Sequence, residues 1–315
     1  MSESLAQPSE GDAARRRRTV MTTTAGTHLG AFTPLDWAMF VSIGLIWGSS
    51  FLLIAIGLDA FEPGLVTWLR IIFGASVLWL VPTARRRVER ADLPRLVALS
   101  LLWVAIPFTL FPLAEQRITS GLTGLVNGAV PIFAVAVGSV MLRRAPGRSQ
   151  AMGLAVGFVG IAAIALPTIG EGSSEAAGVV MALVATVCYG VAINIAGPLT
   201  QRYGSLPVMA RMLALASLWT LPLGALSLGG SDFAWPSLLA VAGLGIVGTG
   251  IAFVLMGRLV SRVGSRASFA LYLIPVVALI LGVVFRDEAV RLLSVVGIGL
   301  VIAGALLASR EERGA

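Results

Sequence analysis

The 315-residue chain contains no lysine, one cysteine and one histidine. Without lysine, no phosphate-binding loop that ends in Lys followed by Ser or Thr can form, which excludes direct ATP coupling within this chain. A lone Cys188 rules out a disulfide or a cysteine–metal framework. His28 lies in a polar N-terminal segment, so the apolar part has no imidazole for a metal site, a proton relay or a Ser/His/Asp set.

Charge is also scarce: 12% of residues are charged, 57% are hydrophobic and the mean hydropathy is +0.91. That leaves too little polar surface for a water-soluble globule of this size. No pair of acidic residues with Mg²⁺-binding spacing lies inside an apolar stretch, as a membrane phosphotransferase would need. We therefore predict no catalytic residues, no metal, no cofactor and no enzymatic activity.

Ten apolar stretches, each close to the roughly 20 residues that cross a bilayer as a helix, fill the rest of the chain. The prediction is an all-α membrane protein with ten transmembrane helices, antiparallel to their neighbours because the connections are short. The predicted spans are 37–57, 63–82, 95–114, 119–141, 150–167, 177–198, 207–228, 236–257, 267–285 and 289–308.

The basic residues, all arginine, set the predicted orientation. The net charge of +7 and pI near 11.0 would suggest nucleic acid in a soluble protein. Here the arginines cluster beside hydrophobic ends, so we expect no nucleic-acid partner. Loops after even-numbered spans hold 12 arginines against three in the other set, which predicts that both termini are cytoplasmic. We expect a multi-pass protein of the plasma (bacterial inner) membrane.

The two ends of the chain are polar. Residues 1–35 are predicted to be a disordered cytoplasmic tail and 309–315 a short cytoplasmic tail. The arginine run 15–18 is not followed by an apolar region until Ala38, and that region has the length of a full span, so we expect no cleaved signal. Met21 is an alternative start.

The chain repeats itself. An offset of 144 residues superimposes the last two spans of each half, and offsets of 140–142 superimpose the earlier ones. We therefore predict two repeats, 36–168 and 176–308, of five helices each. Because five is odd, the second repeat is inverted, an arrangement that supports alternating access to a central site; the alternative is a duplication kept for fold stability alone. The matched pairs include Pro131/Pro275, Gly138/Gly282, Gly153/Gly297, Gly160/Gly304, Gly48/Gly190 and Arg70/Arg211.

Two arginines, Arg70 and Arg211, lie well inside predicted spans, where ionisable residues are costly. Either could attract a substrate carboxylate or phosphate. Each could instead be structural, reaching an interface or bonding carbonyls at a helix end. We favour the structural interpretation for Arg211, near the cytoplasmic side, and weigh the two evenly for Arg70. Glu115 ends the third span, at a distance from Arg70 that the sequence does not reveal.

Uncharged polar and aromatic residues inside spans complete the candidate site. The amides of Asn127 and Asn194 need partners in an apolar medium, which interhelical bonds or a wet cavity would supply. Internal aromatic side chains could form walls on which a planar substrate stacks. The predicted substrate-binding residues are Arg70, Trp47, Ser50, Asn127, Tyr272, Trp103, Asn194 and Tyr189.

Several motifs resemble those of one family. The run 47–51, Trp-Gly-Ser-Ser-Phe, resembles the opening of EamA-type transporters in the drug/metabolite transporter (DMT) superfamily. Gly248-Thr249-Gly250 and the 266–276 segment are similar to the family's eighth and ninth spans, and Gly282 with Glu288 to the ending that leads into the tenth. The resemblance covers 36–308 and implies two inverted five-helix repeats that move small metabolites. Two departures stand out: Arg143-Arg144 replaces a common Gly-Glu pair, and Ile274 replaces a common Glu.

Together these observations predict a multi-pass secondary transporter for a small polar metabolite, an amino acid or related compound, with export favoured over import. Uptake of a planar, vitamin-like compound is the first alternative. A non-transporting membrane scaffold is the second. The expected partners are a small-molecule substrate and the lipid bilayer, with a homodimer left open.

Overall fold

A computed structural model describes residues 31–141, 143, 146–169 and 172–308. The predicted tail before residue 31, the 309–315 tail and Arg144 therefore lie outside the described residues. Ten apolar helices follow one another without strands in the described part. They are α1 (Pro34–Leu58), α2 (Pro63–Leu80), α3 (Arg90–Glu115), α4 (Ser120–Met141), α5 (Arg148–Thr168), α6 (Ser173–Tyr203), α7 (Ser205–Gly230), α8 (Trp235–Val263), α9 (Arg266–Arg286) and α10 (Leu292–Ala308).

The predicted fold class is confirmed, since α1 to α9 are each long and apolar enough to cross a bilayer and α10 follows with 17 residues. Some helices extend beyond the apolar spans. Helix α6 continues past the predicted end at 198 to Tyr203, where Gly204 stops it with a φ of +83°. Hydropathy marks where the apolar side chains end, whereas the backbone continues until a residue such as glycine adopts a non-helical conformation.

The bundle has the contact pattern of an inverted repeat. Helices α1 and α9 pack together, as do their repeat mates α6 and α4. Helix α3 packs on α6 and α8 on α1, while α2 pairs with α7 and α5 with α10. Exchanging the two halves maps each of these pairs onto another or onto itself. Even a local irregularity is shared, because α3 and α8 each contain a π-helical segment, Ser100–Ala105 and Ile246–Ile251.

Small residues at repeat-related positions allow these helices to approach closely. A Cβ atom placed on Gly48 would lie 2.5 Å from the Cβ of Val277 on α9. A Cβ on the repeat mate Gly190 would lie 2.8 Å from the Cβ of Phe133 on α4. Both distances are shorter than a carbon–carbon contact, so the sequence pairing of Gly48 with Gly190 corresponds to one interface built twice.

The bundle has two ends with different loops. We call the end where α2, α4, α6 and α8 finish the basic end, because its loops hold most of the arginines, and the other the opposite end. Ion pairs join helices at both. Arg262 pairs with the buried Asp36, and Arg202 with Asp92, at the basic end. Arg286 pairs with Asp59 at the opposite end.

Candidate functional site

A cavity of about 400 Å³ lies at the centre of the bundle, a size within the range of small-ligand sites. Its wall comes from both repeats, mainly from α1, α3, α4, α6, α8 and α9. Six of the eight residues predicted from sequence lie together in this wall: Trp47, Ser50, Arg70, Trp103, Asn127 and Tyr189.

Arg70 is the one charged side chain in the cavity wall among the described residues. Its side chain is almost fully buried, at 7% exposed. The Nε atom donates to Thr249 Oγ1 at 3.2 Å, and the guanidinium carbon lies 3.6 Å from the centre of the Phe108 ring. Its two terminal nitrogens bond no other group of the described chain. These contacts hold the guanidinium plane in place and leave its forked edge available to a carboxylate, the geometry in which two parallel hydrogen bonds form.

Asn127 also lines this cavity, and its side-chain oxygen has no hydrogen-bond donor among the described residues. Helix α4 is interrupted after this residue, because Pro131 has no amide hydrogen to donate to the Asn127 carbonyl four positions earlier. The side-chain oxygen of Asn127 is buried and accepts no hydrogen bond in the described structure. An unpartnered buried acceptor is costly, so this oxygen is a natural place for a ligand N–H donor.

Aromatic rings form the rest of the wall and the floor. Trp47 donates its indole N–H to the Gly248 carbonyl at 3.1 Å, which fixes the ring against α8. The Phe51 and Phe111 rings meet edge to face, with centroids 5.6 Å apart, and Tyr189 lies 5.8 Å beyond Phe111. Phe51, Phe111 and Tyr189, together with the buried Ile54, form a mostly apolar layer between the cavity and the opposite end, which we call the floor.

Two predicted site residues lie elsewhere. The Asn194 side-chain amide donates to the Ala134 and Gly190 carbonyls at 2.9 and 2.8 Å. The bond to Ala134 joins α6 to α4, which is the interhelical alternative given for this residue in the sequence analysis. Tyr272 is absent from the cavity wall and stacks on Phe269, with ring centroids 5.9 Å apart.

Arg211 has the structural role that we favoured for it. Its terminal nitrogens donate to the carbonyls of Ala84, Pro207 and Arg85, at distances of 3.1, 3.1 and 3.4 Å. Two of these carbonyls follow the end of α2, so the side chain joins α7 to the chain that leaves α2. The repeat mates Arg70 and Arg211 therefore occupy related positions with different surroundings.

The opposite end is closed by a carboxylate clasp. Asp287 adopts a left-handed conformation (φ 52°) at the end of α9, which turns the chain so that Glu288 points at the start of α4. The Glu288 carboxylate accepts hydrogen bonds from the Ser120 amide and hydroxyl, at 2.9 and 2.6 Å, and from the Gly121 amide at 2.8 Å. Unsatisfied amides at a helix N-terminus favour such an anion.

Further contacts reinforce this closure. Arg286 makes a two-point pair with Asp59, at 2.8 and 2.9 Å, and the Ser237 hydroxyl donates to the Ile56 carbonyl at 2.7 Å. A polar recess of about 540 Å³, which we call the vestibule, lies beside them at the opposite end. Charged residues in its wall are Glu115, Arg117, Glu175, Arg286, Glu288 and Arg291.

The cavity extends in the other direction. Thr200, Ser205 and Val260 belong to its wall and lie within three residues of helix ends at the basic end. The floor and the clasp together separate it from the opposite end. The structure is therefore one with a central cavity that extends toward the basic end and is closed toward the other.

Three contributors to the site are absent from the predicted substrate-binding residues. Phe108 covers the Arg70 guanidinium, Thr249 bonds it, and Glu288 closes the opposite end. Thr249 and Glu288 stood in motifs noticed in the sequence, but their partners lie 179 and 168 residues away along the chain. No local periodicity pairs residues at that separation.

Ten apolar helices in two inverted halves around a central cavity, closed at one end, define the class of multi-pass membrane transport proteins. The EamA-like transporter family model matches residues 37–166 and 176–310. The chain belongs to this family, and the resemblance inferred from its motifs is confirmed.

Relatives that cover most of this chain carry transporter names. A "Probable terminal-alkyne amino-acid exporter" of Streptantibioticus cattleyicolor is 30% identical, over 88% of this chain and 94% of its own. An "Uncharacterized transporter" of Archaeoglobus fulgidus is 25% identical, over 88% of this chain and 99% of its own. The "Uncharacterized inner membrane transporter YedA" of Escherichia coli K12 is 25% identical, over 87% and 90%. A solved structure at 19% identity matches 87% of this chain and 96% of its own with a TM-score of 0.60, and this likeness concerns the fold alone.

Proposed function

We propose that this transporter exports an α-amino acid, or a close relative, that carries an apolar side chain. The observation that carries the proposal is that Arg70 and Asn127 line the wall of the same cavity. The guanidinium would bind the substrate carboxylate, and the unpartnered Asn127 oxygen would accept from the substrate ammonium group. The aromatic rings would enclose the apolar side chain.

Export is supported by two independent facts. One relative is named as a probable amino-acid exporter. In addition, the cavity extends toward the basic end, which the arginine distribution predicts to be cytoplasmic, so substrate would load from inside the cell. We further propose that both termini are cytoplasmic and that the protein resides in the bacterial inner membrane, in line with the inner-membrane relative. Rocking of the two repeats would then open the opposite end.

The test uses purified protein in proteoliposomes and measures counterflow of radiolabelled leucine. Competition by leucine, by its decarboxylated amine and by its deaminated acid reports which groups are recognised. We expect leucine to compete most strongly. Arg70→Gln should lower leucine flux by about 10- to 100-fold, since a charge-assisted hydrogen bond contributes roughly 1.5–3 kcal/mol.

The matched control is Arg211→Gln, which changes the repeat mate of Arg70 outside the cavity. It should keep at least about half of the flux, allowing for a small loss of stability from its carbonyl contacts. Normal leucine flux in folded Arg70→Gln, or equal competition by the amine, would contradict the proposal. In that case the planar-compound alternative predicts that Trp103 and Tyr189 substitutions matter more.

A further inference from the structure

Glu115 is an acid with a partly buried side chain that the proposed transport site does not use. It is the last residue of α3, and both of its carboxylate oxygens are buried without a hydrogen-bond partner in the described structure. It lies in the wall of the vestibule. An ionised carboxylate in such a place loses its hydration and gains no donor in return, whereas the neutral carboxyl loses much less.

The position of Glu115 relates it to the cavity. Phe111, whose ring belongs to the floor, precedes it by four residues on the same helix. Residues four apart lie on one helix face and are separated by about 6 Å along the axis. The carboxyl group therefore lies about one helical turn beyond the floor, between the central cavity and the vestibule.

Charged groups from several elements surround it, but none of them bonds it. Arg70 of α2, Arg286 of α9 and Glu288 of the α9–α10 loop act on it electrostatically. Each has another partner: Arg70 bonds Thr249, Arg286 pairs with Asp59, and Glu288 caps α4. The remaining charged residues of the vestibule wall are Arg117, Glu175 and Arg291.

We propose that Glu115 is a proton-binding site whose occupancy is linked to the closure of the opposite end. It binds a proton from vestibule water when that end closes, because closure buries the carboxyl group without a donor. It releases the proton to water when the clasp of Glu288 and the Arg286–Asp59 pair break and the vestibule widens. Any group that binds a ligand more tightly in one conformation shifts the population toward that conformation, so acid stabilises the closed form.

This inference extends the proposed transport cycle by naming its coupling ion, and it depends on alternating access. It is tested without any substrate. The protein, with Cys188→Ala as background, carries spin labels at positions 62 and 290. Both residues are exposed; Glu62 follows Asp59 by three residues and Val290 follows Arg286 by four, so the labels report on the two segments that this ion pair joins. Pulsed electron paramagnetic resonance in lipid nanodiscs then measures the distance between the labels from about pH 5 to about pH 9.

We expect a short and a long distance whose population ratio changes at least about tenfold over this range, with the short distance favoured in acid. Glu115→Gln, which resembles the protonated form, should keep the short distance and change less than about twofold. Glu175→Gln, a neutralised acid in the same wall, should titrate like the parent.

Two results would overturn the proposal: a parent whose distances ignore pH, or a Glu115→Gln protein that titrates as the parent does. A misfolded Glu115→Gln protein would also contradict it, because a neutral side chain of the same shape should be tolerated where the carboxyl is neutral. None of these outcomes bears on leucine recognition by Arg70, since no substrate is present.

Discussion

The two ends of the bundle have related helices but different contacts. At the opposite end, Glu288 caps α4, and Arg286 pairs with Asp59 across the two repeats. At the basic end, the cavity wall includes Thr200, Ser205 and Val260, and ion pairs such as Arg262 with Asp36 join helices without a carboxylate cap like that of Glu288 in the described residues. The helix interfaces are thus related by two-fold symmetry, whereas the contacts at the two ends of the bundle are not. This difference is what alternating access requires, because a related state would close the basic end and open the other.

The residue that forms the clasp differs between the two repeats. The repeat mate of Glu288, at the 144-residue offset, is Arg144, which lies outside the described residues. An arginine cannot accept hydrogen bonds from helix amides, so the basic end cannot be held by the same carboxylate contact. The two ends therefore differ in chemistry as well as in state, and closure of each end should respond to different substitutions.

Removal of the clasp should produce the largest change. Glu288→Ala deletes three hydrogen bonds to a charged acceptor, each of which contributes roughly 1.5–3 kcal/mol net of exchange with water. Amide hydrogen exchange at the start of α4 should therefore accelerate by at least about tenfold. The matched change at the basic end, Asp36→Asn, should leave the protection of Ser120 and Gly121 unchanged. Equal exchange in Glu288→Ala and the parent would show that the clasp does not hold this end.

The two repeat-related helix interfaces at Gly48 and Gly190 should be destabilised to a similar extent when each glycine is replaced. Gly48→Ala and Gly190→Ala each place a methyl group within 2.8 Å or less of a neighbouring helix, and overpacking costs typically about 1–3 kcal/mol. We expect similar drops in the thermal midpoint for both variants. Gly243→Ala is the control, because a Cβ there meets nothing within 4 Å. A drop in only one of the two variants would contradict the two-fold equivalence of these interfaces.

A smaller effect is expected where a single contact positions Arg70. Thr249→Val removes the hydroxyl that accepts from Arg70 Nε and keeps the shape of the side chain. Because this bond positions Arg70 and does not touch the substrate, only part of the roughly 1.5–3 kcal/mol of a hydrogen bond to a charged group should be lost from binding, so the KM for leucine should rise about 5- to 30-fold in counterflow assays. The Ser76→Ala variant, on an exposed face of α2, is the control. An unchanged KM in Thr249→Val would show that Phe108 alone orients the guanidinium.

Much of the fold could be predicted because its signals are local. Apolar length predicts the spans, and the odd number of spans per repeat predicts inversion. Arg70, Trp47 and Asn127 could be placed at a common site because they are polar or aromatic groups inside apolar helices, where such residues are costly or distinctive. The two-fold pairing of Gly48 with Gly190 followed from register alone.

Other features depend on how each helix is rotated about its axis, which apolar periodicity does not fix when a helix is hydrophobic all round. Asn194 and Asn127 look alike in sequence, yet one joins α6 to α4 and the other faces the cavity. Tyr272 also lies outside the wall. The burial of Glu115 and the clasp of Glu288 arise from contacts between distant segments, so neither could be read from spacing.

One cavity extends toward the basic end and is shut from the opposite end by the Glu288 clasp, and this asymmetry is the feature that most needs a test. The direct measurement is the modification of a single Ser50→Cys thiol, in the Cys188→Ala background, by a membrane-impermeant maleimide applied to intact cells and to inverted vesicles. The account predicts modification only in inverted vesicles, and from both sides once Glu288→Ala is added. Modification in intact cells with Glu288 present, or a pattern that ignores Glu288, would contradict it.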